Sequence, residues 1–204
     1  MSTKDFLKKI KDEDIEYVDV RFTDTRGKLQ HVTIVSDLVD EDFVEEGFMF
    51  DGSSIAGWKS IEASDMKLML DTDTAYVDPF YAEKTICVHC SVVEPDTGEA
   101  YERDPRGTAQ KAEAYLKASG IGDVAYMGPE AEFFLFDNVK FSNSINKVSY
   151  EVDASDASWN TDTDYEMGNM GHRPGLKGGY FPVNPTDEAQ DLRAEMLSTM
   201  KRLG

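Results

Sequence analysis

Hydrophobic and polar positions alternate over residues 17–23, with Val18, Val20 and Phe22 on one side of the pattern. A period of two puts alternate side chains on opposite faces of an extended chain, so this segment predicts a half-buried strand. The turn Asp24-Thr25-Arg26-Gly27 leads into residues 28–35, where Val32 and Ile34 are apolar, and the two segments predict a β-hairpin. A short helix is predicted over residues 3–10. Helical spacing returns at Val39, Phe43 and Val44 over residues 39–46, with Gly47 as the stop, and another strand is predicted over residues 85–93. Hairpin, helix and further strands within the first hundred residues predict a small α+β domain.

Asp104-Pro105 supplies a helix N-cap followed by proline at the first helical position. Ala109, Ala112 and Leu116 follow at helical spacing, and Gly120 ends the segment. A domain boundary is expected here, with one domain over 1–104 and the start of a second over 105–204. The second domain continues with strands predicted over 124–127 and 130–136, then a long polar loop over 153–177 that runs into the glycine-rich HRPGLKGGYFPVNP. Structureless stretches of that length in compact domains are usually functional or disordered. A final helix is expected from Asp187, capped by Thr186, with Ala189, Leu192, Met196, Met200 and Leu203 three and four apart and Lys201 and Arg202 near its end.

Charge narrows the classes of partner. Against 21 lysines and arginines stand 40 aspartates and glutamates, a formal net charge of −19 spread along all 204 residues. Nucleic acid is excluded as a partner by that balance, which is compatible with cation binding. No run of about 18 apolar residues is present, and MSTKDFLKKIKDED lacks the apolar stretch of a signal peptide, so a cytoplasmic protein with no membrane partner is expected. Cys87 and Cys90 form a CxxC spacing in TICVHCSVV. Positions three apart on a strand face opposite ways, and no second Cys or His pair lies nearby, so strand packing is favoured over zinc. His31 and His89 likewise read as strand residues rather than ligands.

Candidate chemistry concentrates in two segments. In YMGPEAEFFLFD, Glu130 and Glu132 stand two apart inside an otherwise strand-like apolar run. On a strand they share a face with Cα atoms about 7 Å apart. Burying both ionised and unpaired against Phe133, Phe134 and Phe136 would cost several kcal/mol each, and a divalent ion held between them removes most of that penalty. Oxygen ligands of this kind point to magnesium or manganese. A strand end with both glutamates in solvent is the plain alternative. In FMFDGSSIAGW, Asp51 precedes Gly52, Ser53 and Ser54, a tight-turn sequence that exposes polar side chains, and Asp51 also reads as an ordinary turn aspartate.

Taken in order, FDGSS, the Ala-Ser-Asp of residues 63–65, GPEAEFFLFD and KGGYFPV closely resemble bacterial type I glutamine synthetase over nearly the whole chain. The resemblance implies an α+β fold in which a small N-terminal β-grasp-like domain precedes the beginning of a catalytic domain of antiparallel sheet and helices. It also implies ATP-dependent phosphorylation of the glutamate side-chain carboxylate, followed by attack of ammonia on the acyl phosphate. Glu132 matches a ligand of the metal nearer glutamate, and Glu130 a ligand of the metal that neutralises the ATP phosphates. Asp51 matches the aspartate that binds and deprotonates ammonium in a neighbouring subunit's site, with Ser54 and Tyr180 as further members of that pocket. Without the family match, Tyr180 reads as an aromatic packed beside two glycines. The loop over 153–177 resembles one that lines the family's ring channel, and its His172-Arg173 pair is assigned no chemistry. Mg2+ or Mn2+, ATP, glutamate and ammonium are the implied cofactors and substrates, in a homo-oligomer of stacked rings, a homododecamer.

Magnesium takes six oxygens in near-octahedral array, and these residues offer two well-placed carboxylates. The sequence therefore reads as the N-terminal portion of such an enzyme, truncated within the catalytic domain and expected to be inactive alone. Two other readings stay open: a γ-glutamyl ligase that joins glutamate to an organic amine, disfavoured by Asp51, Ser54 and Tyr180 together, and a non-catalytic module that joins or blocks rings.

Overall fold

Five strands form the sheet of the first unit. In this computed structural model, which describes residues 1–157, 173–175 and 177–204, the chain divides into two compact units, Met1–Met127 and Gly128–Gly204. The first contains α1 (Thr3–Asp12), β1 (Tyr17–Thr23), β2 (Leu29–Val35), α2 (Glu41–Glu46), β3 (Phe48–Asp51), β4 (Asp65–Val77), β5 (Thr85–Val93) and α3 (Pro105–Ser119). The strands lie in the order β2-β1-β5-β4-β3; β1 and β5 run parallel and the other neighbours antiparallel.

The predicted hairpin forms in register from Tyr17 opposite Val35 to Thr23 opposite Leu29. Asp24 closes its turn, accepting from the Arg26 and Lys28 amides at 2.9 and 3.0 Å while Gly27 takes φ +81°. Val18 and Val20, fully buried, join Phe6 of α1 and Met66, Leu68, Ile86, Val88 and Val92 of the central strands in one core. Phe22, Trp58 and Tyr101 of the same core pack ring against ring with each other and with Phe50 at 5.1–6.3 Å. Cys87 and Cys90 are free and buried, and burial pushes both thiols up to about 12, in keeping with strand packing.

The opposite face of the sheet carries a polar network. Asp19 is fully buried and accepts from Arg21 Nε at 2.7 Å, Thr33 Oγ1 at 2.7 Å and His31 Nδ1 at 2.6 Å. An ionised carboxylate only accepts, so the His31 proton sits on Nδ1. Arg21 continues to Tyr76 Oη at 2.6 Å and Asp78 Oδ2 at 3.1 Å, which ties β1 to the far end of β4. Between Asp71 and Tyr76 the β4–β5 register shifts through a bulge, and the Thr74 hydroxyl accepts the His89 amide there at 2.9 Å. His89 is thus a strand residue; burial first, then the nearby Arg106 and Arg21, hold its ring below the usual histidine range.

Asp104 caps α3 as expected, accepting from the Arg106 amide at 3.0 Å, and Gly120 ends the helix at φ +69°. The other oxygen of Asp104 accepts from the Val92 amide at 3.0 Å, so one buried carboxylate anchors both the helix start and the end of β5.

The second unit contains a hairpin of β6 (Asn138–Ser144) and β7 (Lys147–Asp153), followed by α4 (Gln190–Leu203). Two expectations are corrected in this part of the chain. Residues 124–127 and 130–136 form no strand, because a strand exists by hydrogen bonding to a neighbour and none pairs with them among the described residues. The last helix begins at Gln190 rather than Asp187, with Ala189 at its cap position and no side-chain cap from Thr186. Asp187 instead accepts from the Ala189 amide at 3.0 Å and pairs with Arg193, which holds its carboxyl below the usual range. Most of the loop predicted over 153–177, His172 included, lies outside the described residues. Arg173 is described, and its Nη1 donates to the Ala157 carbonyl at 3.1 Å.

Candidate functional site

Asp51 is the last residue of β3, opposite Asp65 in the β4 register. The chain then turns through a single 3-10 turn, Gly52–Ser54. Gly52 is buried, and its amide donates to the Ser64 carbonyl at 2.7 Å. A Cβ at Gly52 would overlap the Met66 side chain, and Met66 is fully buried and has nowhere to retreat. Gly52→Ala is therefore expected to destabilise the protein by about 1–3 kcal/mol, checked by urea unfolding; an unchanged midpoint would show that the turn has slack.

Held this way, Asp51 stands exposed with its Oδ1 accepting twice from Ser53, from the amide at 2.8 Å and from Oγ at 2.6 Å. Those two bonds, the side-chain one foremost, keep its carboxyl below the usual range, with Ser64 adding to the effect. Ser54, which the sequence singled out, is exposed and turned to solvent rather than to Asp51. Ser53, which sequence reasoning passed over, makes the contacts. The DGSS string was the available signal, but which of two adjacent hydroxyls turns inward is decided by the turn and not by composition.

In the second unit, a cavity of about 940 Å³ is lined by Glu132, Phe134, Phe136, Tyr180, Asp156 and Arg193 among others. Phe134 and Phe136 stack at 5.9 Å with rings 10° from parallel, the same-face relation of residues two apart on an extended chain. Glu130 and Glu132 precede them at the same interval. Both are exposed, so the expectation of carboxylates buried in an apolar strand is corrected: no strand pairs with the segment among the described residues. Only Glu132 of the two lines the cavity. Tyr180 does so as well, while 87% exposed and edge-on to Phe181 at 4.5 Å, which sets aside its reading as a packed aromatic.

The donors are hard oxygens of the class that divalent magnesium or manganese takes, with neither carboxylate engaged by a cation among the described residues. They fit as two members of a larger ligand set; no group of three or more His, Cys, Asp or Glu side chains clusters among the described residues.

A mixed β-grasp sheet, followed by an acidic segment and an aromatic-lined cavity in a second unit, places the chain in the α+β class. Residues 14–95 match the family model for the glutamine synthetase β-grasp domain, and residues 102–204 match that for the glutamine synthetase catalytic domain. Glutamine synthetases of Cereibacter sphaeroides and Rhodobacter capsulatus are 76% and 71% identical to this chain over 98% and 100% of its length. The chain spans 43% and 46% of those two proteins, under half of each. A Plasmodium falciparum glutamine synthetase solved by cryo-electron microscopy shares the fold, with a TM-score of 0.83 over all of this chain and 40% of that one, at 21% identity. The chain belongs to the glutamine synthetase family.

Proposed function

We propose that these residues serve a glutamate–ammonia ligase that uses ATP to phosphorylate the glutamate side-chain carboxylate and then amidates it with ammonia. The observation that carries this reading is the presence of both family domains in one chain with Asp51 held exposed and ionised at the end of β3. Ammonium is no nucleophile until it loses a proton. A carboxylate that is ionised throughout the physiological range attracts the cation and offers an acceptor for that proton. Ser54 and Tyr180, both exposed, are assigned to the same ammonium pocket.

Glu132 is assigned as a ligand of a divalent ion nearer glutamate, and Glu130 as a ligand of one nearer the ATP phosphates, with Mg2+ or Mn2+ as the metals. Bound there, such ions supply charge neutralisation between the transferring phosphoryl group and the incoming carboxylate. The family supports ATP and divalent-metal use and assembly into an oligomer. The finer reading is of stacked rings, a homododecamer in the cytoplasm, with Asp51 of one subunit serving the neighbouring subunit's site. No described helix is long and apolar enough to cross a membrane. The division at 104/105 is proposed as the domain boundary; the family matches end at 95 and resume at 102, whereas the compact units of the structure divide after Met127.

The test is an assay of the full-length protein with glutamate, ATP and either ammonium or methylamine. Glutamine formation that outpaces the methylamide by more than about 10²-fold supports the assignment, a discrimination within reach of a built polar site. Preference for methylamine would overturn it in favour of an organic-amine ligase.

A further inference from the structure

We propose that Ser53 is the positioning residue for Asp51, aiming its carboxylate so that one oxygen is fixed by the protein and the other is presented to ammonium. This rests on the reading of Asp51 given above. Three features of the turn carry it. Both donors from Ser53 converge on Oδ1, at 2.8 and 2.6 Å. Two bonds on one oxygen fix the carboxylate plane, and the Ser64 side chain adds a lesser hold on the same exposed group. Gly52 locks the backbone beneath, since its amide bonds Ser64 O and any side chain there meets Met66. The adjacent Ser54 has no share in holding Asp51, which leaves its hydroxyl free for the ligand.

The division of labour between adjacent serines is thus structural: Ser53 faces the carboxylate and Ser54 faces out. Other charged groups at the turn are few. Asp65 is the register partner of Asp51 on β4, and the Lys59 stem lies against Gly52 while its ammonium pairs with Glu94 at 2.7 Å. Neither replaces the Ser53 donors.

Loss of the Ser53 hydroxyl leaves the Ser53 amide and the lesser Ser64 contact, loosens the carboxylate and raises its proton affinity toward that of an ordinary aspartate. In the full-length protein, Ser53→Ala is expected to raise KM for ammonium about tenfold, the cost of one charge-assisted hydrogen bond, with KM for glutamate and ATP unmoved. Ser53→Thr, which keeps the hydroxyl, is expected to restore it. Titration of the Asp51 carboxyl by 13C NMR, read independently of turnover, is expected to move upward in Ser53→Ala and not in Ser53→Thr. Asp51→Asn separates the two readings. Undiminished ammonium use in Asp51→Asn overturns the assignment of Asp51 itself. Impaired Asp51→Asn with an unchanged ammonium KM and carboxyl titration in Ser53→Ala overturns the positioning role alone, as does a Ser53→Thr variant no better than Ser53→Ala.

Discussion

Glu132→Gln in the full-length protein is expected to lower ATP-dependent glutamine formation by at least about 10²-fold, because loss of an outer partner of a metal ligand already costs 10–100-fold and a ligand should exceed that. Glutamine keeps the size and one oxygen of the side chain and removes its charge, so the fold has little reason to change: Glu132 is exposed, with no salt bridge to a described residue. The loss should be accompanied by weaker binding of Mn2+, read by titration calorimetry without nucleotide. Glu130→Gln is expected to act through ATP, raising its KM more than that of glutamate. If Glu132→Gln keeps full turnover and unchanged manganese affinity, the two carboxylates are solvent-facing side chains and the metal assignment falls.

The second large effect concerns stability. Arg21→Met should cost about 3–5 kcal/mol in urea unfolding, since it strips the guanidinium from Asp19, which is 1% exposed, and from Asp78, which is 12% exposed. Thr33 and His31 still donate to Asp19, which favours the lower end of that range. The pH dependence has a definite sign. Burial alone would raise the Asp19 carboxyl, but the bonds from His31, Arg21 and Thr33 outweigh it and hold the group below its ordinary value. A folded-state value below the unfolded one gives stability that is fully present above about pH 4, where the unfolded group is ionised, and lost as pH falls through the lower folded value. Acid unfolding of the wild type should therefore be steeper below pH 4 than that of Asp19→Asn. Equal stability of Arg21→Met and wild type would mean that the network is solvated and contributes little.

Much of the first unit was legible because local signals and tertiary demand agree there. Val18, Val20 and Phe22 alternate and are buried, Asp24 and Gly27 suit the turn they occupy, and Asp104 and Gly120 bracket α3. β4 escaped notice because its alternation at Met66, Leu68 and Leu70 is broken by the bulge at Asp71–Tyr76, whose residues read as polar loop. β6 and β7 escaped for another reason: NVKFSNS and KVSYEVD expose both faces, so no buried period marks them. Residues 130–136 fail in the opposite sense, with strand composition and no pairing neighbour among the described residues. At the site, the carboxylates Asp51, Glu130 and Glu132 could be picked out by type and spacing. The role of Ser53 could not, because two adjacent serines are equivalent on paper until a backbone turn sends one inward. Likewise Arg21 and Asp19 look like the polar side of an ordinary strand, and only the fold reveals that this side is covered.

The double grip of Asp104 has a practical corollary for anyone dissecting the molecule. A segment cut after residue 104 would retain the carboxylate but discard the helical turn on which one of its oxygens rests, and the Val92 amide would then be held by an anchor loose at its other end. Carrying the cut past Gly120 preserves both attachments, so the joint between sheet and helix behaves as a rivet rather than a tether.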